Sequence, residues 1–323
     1  MNTNNVIART LSETKGTKQS HILQLTLSVS PHIRSSENVT TIMRDVIIAL
    51  IPAAVAGICF FGLNAALTII VSILFCIAGE YLSVKIMRRE SPLNDLSAVV
   101  TGVLFAFVLP PGMPLWVVAI GALISIIFGK MIFGGLGQNI FNPALVGRAI
   151  LLASWPVFMT SWNLPFESTT TATPLAIVRM KLNQPLPSYW QMFIGERAGS
   201  LGETSVLALI LGATYLFLRR HITWHIPFSF ICLVFILSTL LKRDPLFEIM
   251  AGGVILGAFF MATDYVTSPL TRKGQLIFGA GCGLMTVLIR HWGGFPEGVC
   301  YAILIMNMVT PLIDMGLKTR GHR

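Results

Sequence analysis

Runs of apolar residues long enough to cross a lipid bilayer recur about ten times along this chain, and no other feature constrains its fold as much. A helical span needs roughly 20 such residues, within a range of about 17–25. The runs fall near 43–62, 64–86, 95–110, 113–132 and 138–156, then, after a long polar gap, near 203–218, 222–241, 248–263, 275–291 and 298–316. Lipid offers a backbone no hydrogen-bond partners, so these runs are expected to be helices. The third and eighth are short, which suits tilted, broken or partly crossing segments. Composition agrees: 54% of the 323 residues are hydrophobic and 11% charged, against roughly 25% charged in soluble domains. The expected fold class is an all-α polytopic membrane protein with about ten transmembrane helices.

The formal net charge of +9 does not mark a nucleic-acid face, because the basic residues lie between apolar runs and form no single patch. With the N-terminus in the cytoplasm, the inner side holds Lys85, Arg88, Arg89, Lys130, Arg219, Arg220, Arg272, Lys273, Lys318, Arg320 and Arg323, plus the N-terminal arm. The outer side holds Arg179, Lys181, Arg197, Lys242, Arg243 and Arg290. This asymmetry predicts both termini inside and the 157–202 segment outside. The first forty residues lack an apolar core, so no cleavable signal peptide is expected. The organisation is then an arm (1–42), a first membrane repeat (43–156), an outer loop (157–202), a second repeat (203–317) and a short tail (318–323).

Five spans on either side of one loop imply a duplication, and an odd number inverts the second copy. An internal echo supports it: Gly134-Gly-Leu-Gly-Gln-Asn leads into the fifth span and Gly293-Gly-Phe-Pro-Glu-Gly into the tenth. Val100-Thr-Gly-Val-Leu-Phe-Ala-Phe likewise parallels Gly253-Val-Ile-Leu-Gly-Ala-Phe-Phe. Inverted repeats place ligand sites at their interface, where Gly or Pro interrupts helices. Cys59, Cys76, Cys232, Cys282 and Cys300 each sit singly in apolar stretches. They provide no framework for zinc, an iron–sulfur cluster or disulfides, and small buried packing residues are the expectation. A redox cofactor must then be organic or come from a partner.

Glu167-Ser-Thr-Thr-Thr-Ala-Thr173-Pro-Leu-Ala176 is a hydroxyl-dense island in the outer loop. Such a run is either an ordinary solvated loop or a modification site. It resembles the acceptor at which a flavin transferase esterifies the phosphate of FMN to a threonine hydroxyl. In that pattern an acidic residue stands six positions before the modified threonine. Glu167, Thr170, Ala172 and Thr173 match in order, while Thr171 replaces the usual Gly and Glu167 the usual Asp.

Further segments resemble the NqrB/RnfD family of membrane proteins. Its two branches serve the Rnf ion-translocating electron-transport complex and the sodium-translocating NADH:quinone oxidoreductase. The segments are Ser30-Pro-His-Ile-Arg34, Ser91-Pro-Leu-Asn-Asp95 before Thr101-Gly102, Leu109-Pro-Pro-Gly-Met-Pro114, Gly137-Gln-Asn-Ile-Phe-Asn-Pro-Ala-Leu-Val-Gly-Arg148 and Thr170-Thr-Ala-Thr-Pro-Leu175. The resemblance covers about residues 28–316, and the short N-terminal arm fits the Rnf branch better. It implies a subunit that relays electrons through covalent FMN on Thr173, within a complex that oxidises ferredoxin and reduces NAD⁺ while moving Na⁺ or H⁺. Some related complexes instead keep a redox-sensing regulator reduced. The implied partners are soluble iron–sulfur and NAD-binding subunits, other membrane subunits, an outer-face flavoprotein subunit, and a flavin transferase during maturation. The resemblance leaves open a second, non-covalent flavin such as riboflavin. No G-x-G-x-x-G after a strand marks an NAD site in this chain. A channel or secondary transporter of the same five-plus-five architecture is the rival reading, since fold alone does not decide function. A scaffold component that has lost its flavin is a third.

Several other residues carry alternatives. Thr170, Thr171 and Glu167 suit recognition by the transferase, with contact to the mature cofactor open. Arg148 lies deep in the fifth span, where a cation costs roughly 2.5–3.5 kcal/mol and needs a partner. A flavin group or a salt bridge within the bundle would serve. Asn139 and Asn142, before Pro143, fit either an interrupted helix lining a cofactor cavity or a tight capped turn. Glu80 and Asp314 are the ion-coupling candidates, as intramembrane carboxylates. Capping is a sufficient role for Asp95 and Asp264, hydrogen-bonded packing is expected of His225, and Asp244 reads as a solvated turn residue.

Overall fold

The computed structural model describes residues 38–88, 95–166, 170–294 and 297–317. The Ser30–Arg34 motif, residues 91–94, Glu167 and the tail from Lys318 lie outside the described residues. Helices α1 (Val39–Phe61) and α2 (Leu63–Met87) are joined at Gly62, whose φ of 67° turns the chain within one residue. Then come α3 (Ser97–Phe107) and α4 (Leu115–Ile126), which continues as a π-helical turn over Ile127–Met131. Helix α5 (Pro143–Ser154) closes the first set. The second set comprises α9 (Val206–Leu218), α10 (His225–Leu240), α11 (Pro245–Met250), α12 (Val254–Leu256) with a π turn over Gly257–Met261, α13 (Arg272–Trp292) and α14 (Val299–Leu317).

Each of the ten expected runs carries helix, but among the described residues only α1, α2 and α14 are both long and apolar enough to cross a membrane. Five more are apolar but only 10–17 residues long. The reasons are local. The fifth run loses its first turns to the stretch before Asn142, where Gly134, Gly135 and Gly137 adopt φ of 123°, 104° and 90°, a conformation costly for any residue with a Cβ. The eighth run is broken in two by Gly252 and Gly253, at φ 64° and 72°. Helix α13 has the length but carries Arg272, Lys273 and Arg290.

The two sets pack alike. In the first, α2 lies on α3 and α4, and α4 on α5; in the second, α10 lies on α11 and α13, and α13 on α14. Between the sets α1 packs on α9 and α5 on α14. Glycines permit the closest crossings, as small residues do between membrane helices. A Cβ on Gly212 of α9 would stand 2.0 Å from the carbonyl oxygen of Ala49 in α1. Phe105, Phe107, Phe230 and Phe278 fill the interior, while Leu63, Ile86 and Leu218 project outward, as lipid-facing side chains would.

The segment between the sets is structured rather than a plain loop. It holds α6 (Pro156–Met159), strand β1 (Trp162–Asn163) antiparallel to β2 (Thr170–Thr171), α7 (Pro174–Met180) and α8 (Tyr189–Ile194). It is tied to the first set: Phe166 N–H donates to Phe60 O at 2.9 Å, and Leu201 and Gly202 N–H donate to Leu109 and Phe107 carbonyls at 3.1 and 2.9 Å. Asp244 is more than a solvated turn residue. It caps α11 by accepting from Leu246 and Phe247 N–H and takes a hydrogen bond from Tyr189 OH, which holds its carboxyl below the usual range.

Candidate cofactor site and buried polar network

Thr173 is the N-cap of α7, and its side-chain oxygen accepts from Ala176 N–H at 3.3 Å. Pro174 follows at the first helical position, where its missing N–H costs nothing. Thr173 is 4% exposed, and its hydroxyl donates to no group among the described residues. Esterification replaces that hydrogen and leaves the capping lone pair in place, so the geometry suits an acceptor. Thr171 differs, since its hydroxyl meets Gln184 Oε1 at 3.4 Å, and Thr170 is exposed on the paired strand. Beside Thr173 opens a cleft of about 390 Å³, lined by Thr171, Ala172, Pro174, Gln184 and Arg197. That falls within the roughly 300–1,000 Å³ of ordinary ligand pockets.

The segment bearing Thr173 rests on the second helix set. Leu175 packs against Gly252, where a Cβ would lie 2.2 Å from its Cδ1. Arg290 fixes that break: it donates to Glu248 Oε2 at 2.9 Å and to the carbonyls of Glu248, Ala251 and Gly252 at 2.5, 2.8 and 3.1 Å. Arg179 of α7 donates to Gly293 O. Arg290 and Arg197, read from sequence as outer-side cations, are thus buried structural donors, with Arg197 holding the carbonyls of Thr204 and Glu203 at 3.2 and 2.6 Å.

A second cavity of about 90 Å³ lies at the opposite end of the helix sets, lined by residues of α1, α3, α9 and both π turns, among them Thr101, Asn139, Asn142, Lys130 and His221. Asn142 caps α5 by accepting from Ala144 and Leu145 N–H at 3.1 and 3.4 Å, and reaches across to Met261 O at 3.3 Å. Asn139 donates to Phe141 O at 3.1 Å and leaves its buried Oδ1 without a partner. Asn142 thus both caps a helix and walls the cavity, while Asn139 keeps an unanswered acceptor there.

Glu80 is fully buried and accepts from Lys130 Nζ at 2.6 Å, and Lys130 also donates to Ser97 Oγ at 2.5 Å. The second Glu80 oxygen has no partner. Lys130, taken from sequence as an inner-side cation, is 1% exposed and lies buried in the π turn; such turns are frequent at functional sites. Asp314 is half-buried and accepts from Leu270 N–H at 3.3 Å, tying a turn to the end of α14. Asp95 and Asp264 accept from nearby backbone N–H groups as caps do. His225 stacks on Trp224 with centroids 4.3 Å apart, and its Nδ1 has no partner, so packing holds but the expected hydrogen bond at that atom does not.

Arg148 meets Glu297 in an ion pair and donates also to Val108 O. The salt bridge is present, and it joins α5 to the segment before α14, across the two helix sets. The guanidinium is held by these two partners and also walls two small cavities. Sequence reasoning missed Glu297, although the echo preceding the tenth span contains it at the position matched by Gln138. It missed a third polar cluster as well: Asp45, buried in α1, accepts from Tyr215 OH at 3.2 Å, Arg219 Nε at 2.9 Å and pairs with His221 Nε2 at 2.7 Å.

These features define a helical membrane protein with a buried, helix-capping threonine hydroxyl at one end and a polar-lined cavity at the other. Over residues 26–322 the chain matches the model of the NQR2, RnfD, RnfE family, and it belongs to that family. It is 48% identical over 303 residues to the D subunit of the Na⁺-translocating ferredoxin:NAD⁺ oxidoreductase complex of Acetobacterium woodii, covering 92% of this chain and 95% of that one. It is 47% identical over 308 residues to the D subunit of the proton-translocating ferredoxin:NAD⁺ oxidoreductase complex of Clostridium ljungdahlii, covering 90% and 93%. To the D subunit of the ion-translocating oxidoreductase complex of Aliivibrio salmonicida it is 36% identical, covering 92% and 98%.

Proposed function

We propose that this chain is the membrane subunit of an Rnf-type ferredoxin:NAD⁺ oxidoreductase complex, carrying FMN on Thr173 as an electron relay while the complex moves Na⁺ or H⁺. The observation that carries the flavin reading is the Thr173 hydroxyl: it is fixed as an N-cap, engaged through its oxygen alone, and set beside a cleft of ligand size. Family membership supports the complex and the redox role. When bound, FMN supplies one- and two-electron chemistry that no side chain here offers. The chain's own residues position it. Pro174 and Ala176 fix the cap, Arg290 fixes the helix break beneath Leu175, and Thr171 and Arg197 line the cleft. Thr171 contacts the cofactor in this reading, and Glu167 serves the transferase.

A second, non-covalent flavin such as riboflavin would enter at the inner cavity, which at about 90 Å³ must widen to take the ring, with Asn139 and Asn142 in its wall. The open Oδ1 of Asn139 would accept from a ring N–H. Arg148 is assigned to the bundle, since Glu297 answers it. Of the two ion-coupling candidates, Glu80 has a free buried oxygen and Asp314 serves a turn, which favours Glu80.

The matched packing of the two helix sets supports two inverted five-helix repeats and about ten membrane-crossing segments, several of them short or broken. In this arrangement both termini face the cytoplasm of a bacterial inner membrane and Thr173 faces outward, toward an outer flavoprotein subunit. The soluble iron–sulfur and NAD-binding subunits and the remaining membrane subunits complete the reaction. Peptide mass spectrometry of the 157–202 segment from the native complex tests the assignment. The FMN mass is expected on Thr173, and its presence on Thr170 or Thr171 instead would overturn the placement.

A further inference from the structure

Small cavities line up along the interface between the two helix sets. The inner cavity ends at Asn142, whose amide reaches Met261 O. Beyond Met261 lies a central cavity walled by Leu145, Glu203, Gly253 and Leu256, with about 30 Å³ available to water centres. Past it lies another of about 30 Å³, walled by Leu152, Thr160, Trp162 and Tyr301. A water needs roughly 10–15 Å³ by this measure, so each holds about two. Three residues wall both of these cavities: Arg148, Glu297 and Cys300. The ion pair is therefore the partition between them.

We propose that Arg148 and Glu297 form a gate on a monovalent-cation path at the interface of the two helix sets, with Glu297 as the exchanging carboxylate and Arg148 as its resident counter-cation. The proposal rests on the reading of the chain as part of an ion-moving complex. A buried carboxylate without a partner is costly, and Arg148 answers Glu297 whenever no transported cation does. A cation entering either cavity competes for the same carboxylate. The displaced guanidinium has a second anion available, because Glu203 lines the same central cavity. Glu203 is itself held, with Oε1 accepting from Ser200 N–H at 3.1 Å and Oε2 over Gly253, where a Cβ would stand 2.7 Å away. Gly253 thereby keeps that seat clear. Val108 O, already a partner of Arg148, serves as a pivot common to both positions. In each state one cation, resident or transported, sits on Glu297, and the charge brought in by the transported cation is answered by Glu203, which takes up Arg148.

The test uses the whole complex in sealed membrane vesicles, with Glu297→Gln and the double variant Arg148→Met/Glu297→Met. Ferredoxin-driven NAD⁺ reduction is measured against ²²Na⁺ uptake in one arm and protonophore-sensitive acidification in the other, which distinguishes the two cations. The native Cys300 serves as reporter through its modification by a small charged thiol reagent, read by peptide mass spectrometry. In Glu297→Gln the ions moved per electron should fall at least tenfold and Cys300 should react at least tenfold faster. The double variant removes both buried charges together and so avoids a bare one. It should lose coupling as well but keep Cys300 protected behind an apolar plug. An unchanged ratio or an unchanged Cys300 rate in Glu297→Gln overturns the gate. Should that variant fail to assemble, an unchanged ratio in the double variant does so. A wild-type complex that moves neither cation would instead overturn the functional reading on which the gate stands.

Discussion

Replacing Lys130 by Met tests the buried Glu80–Lys130–Ser97 chain most sharply. In the wild type the Glu80 carboxylate has one donor, Lys130 Nζ at 2.6 Å, and both side chains are at most 2% exposed. Methionine fills a similar volume and removes that donor, so neither carboxylate oxygen has a partner. Breaking a buried pair from one side costs about 3–5 kcal/mol. The carboxyl can escape by giving up its charge. Holding a group of ordinary pKa near 4.3 neutral at pH 7 costs about 3.7 kcal/mol, at about 1.36 kcal/mol per unit. Both routes give a loss near 4 kcal/mol at pH 7, and the second falls to about 1 kcal/mol at pH 5. The assay is thermal loss of the monodisperse peak of the detergent-purified complex. Lys130→Met should melt many degrees lower at pH 7 and recover much of the difference at pH 5. Glu80→Gln/Lys130→Met should recover most of it at both values. A single variant as stable as wild type, or a double variant no better than the single, would refute the reasoning.

Other outcomes follow from the same contacts. Thr173→Ser should keep both the hydroxyl and the cap, whereas Thr173→Ala loses the cap at about 0.5–2 kcal/mol, read as the difference in melting between the two variants. Asn142→Ala should lose the α5 cap, at about 0.5–2 kcal/mol, together with the donor to Met261 O, at about 1 kcal/mol, by the same melting assay. Gly212→Ala pushes a Cβ to 2.0 Å from Ala49 O. It should destabilise the α1–α9 contact by about 1–3 kcal/mol, as overpacking does, and raise proteolytic cleavage near Arg219 and Arg220.

Much of the fold was legible because lipid imposes helices wherever apolar runs are long. Sequence placed α1, α2 and α14 within a few residues, and the short third and eighth runs were read as short. Backbone conformation was what escaped it. Helix α5 starts late because three glycines before Asn142 take positive φ, and the eighth run divides at Gly252–Gly253. The same limit applies to the polar interior. Thr173, Asn142 and Glu80 were singled out by residue type and position, but their partners depend on which helices meet. Lys130 counted as an inner-side cation until the structure buried it in a π turn, and Arg290 and Arg197 were read as outer-side cations. Asp45 and Glu297 became visible only once α9 and α5 were seen to lie against them.

The covalent flavin is the centre of the functional account, and fluorescence of the denatured polypeptide tests it most directly. The complex should be produced with a flavin transferase, resolved in SDS, and viewed under flavin excitation beside a Thr173→Ala complex and a known flavinylated control. The account predicts a fluorescent band at the mass of this chain that disappears in the variant. A dark wild-type band beside a bright control would contradict it and move the chain to a scaffold or transporter role.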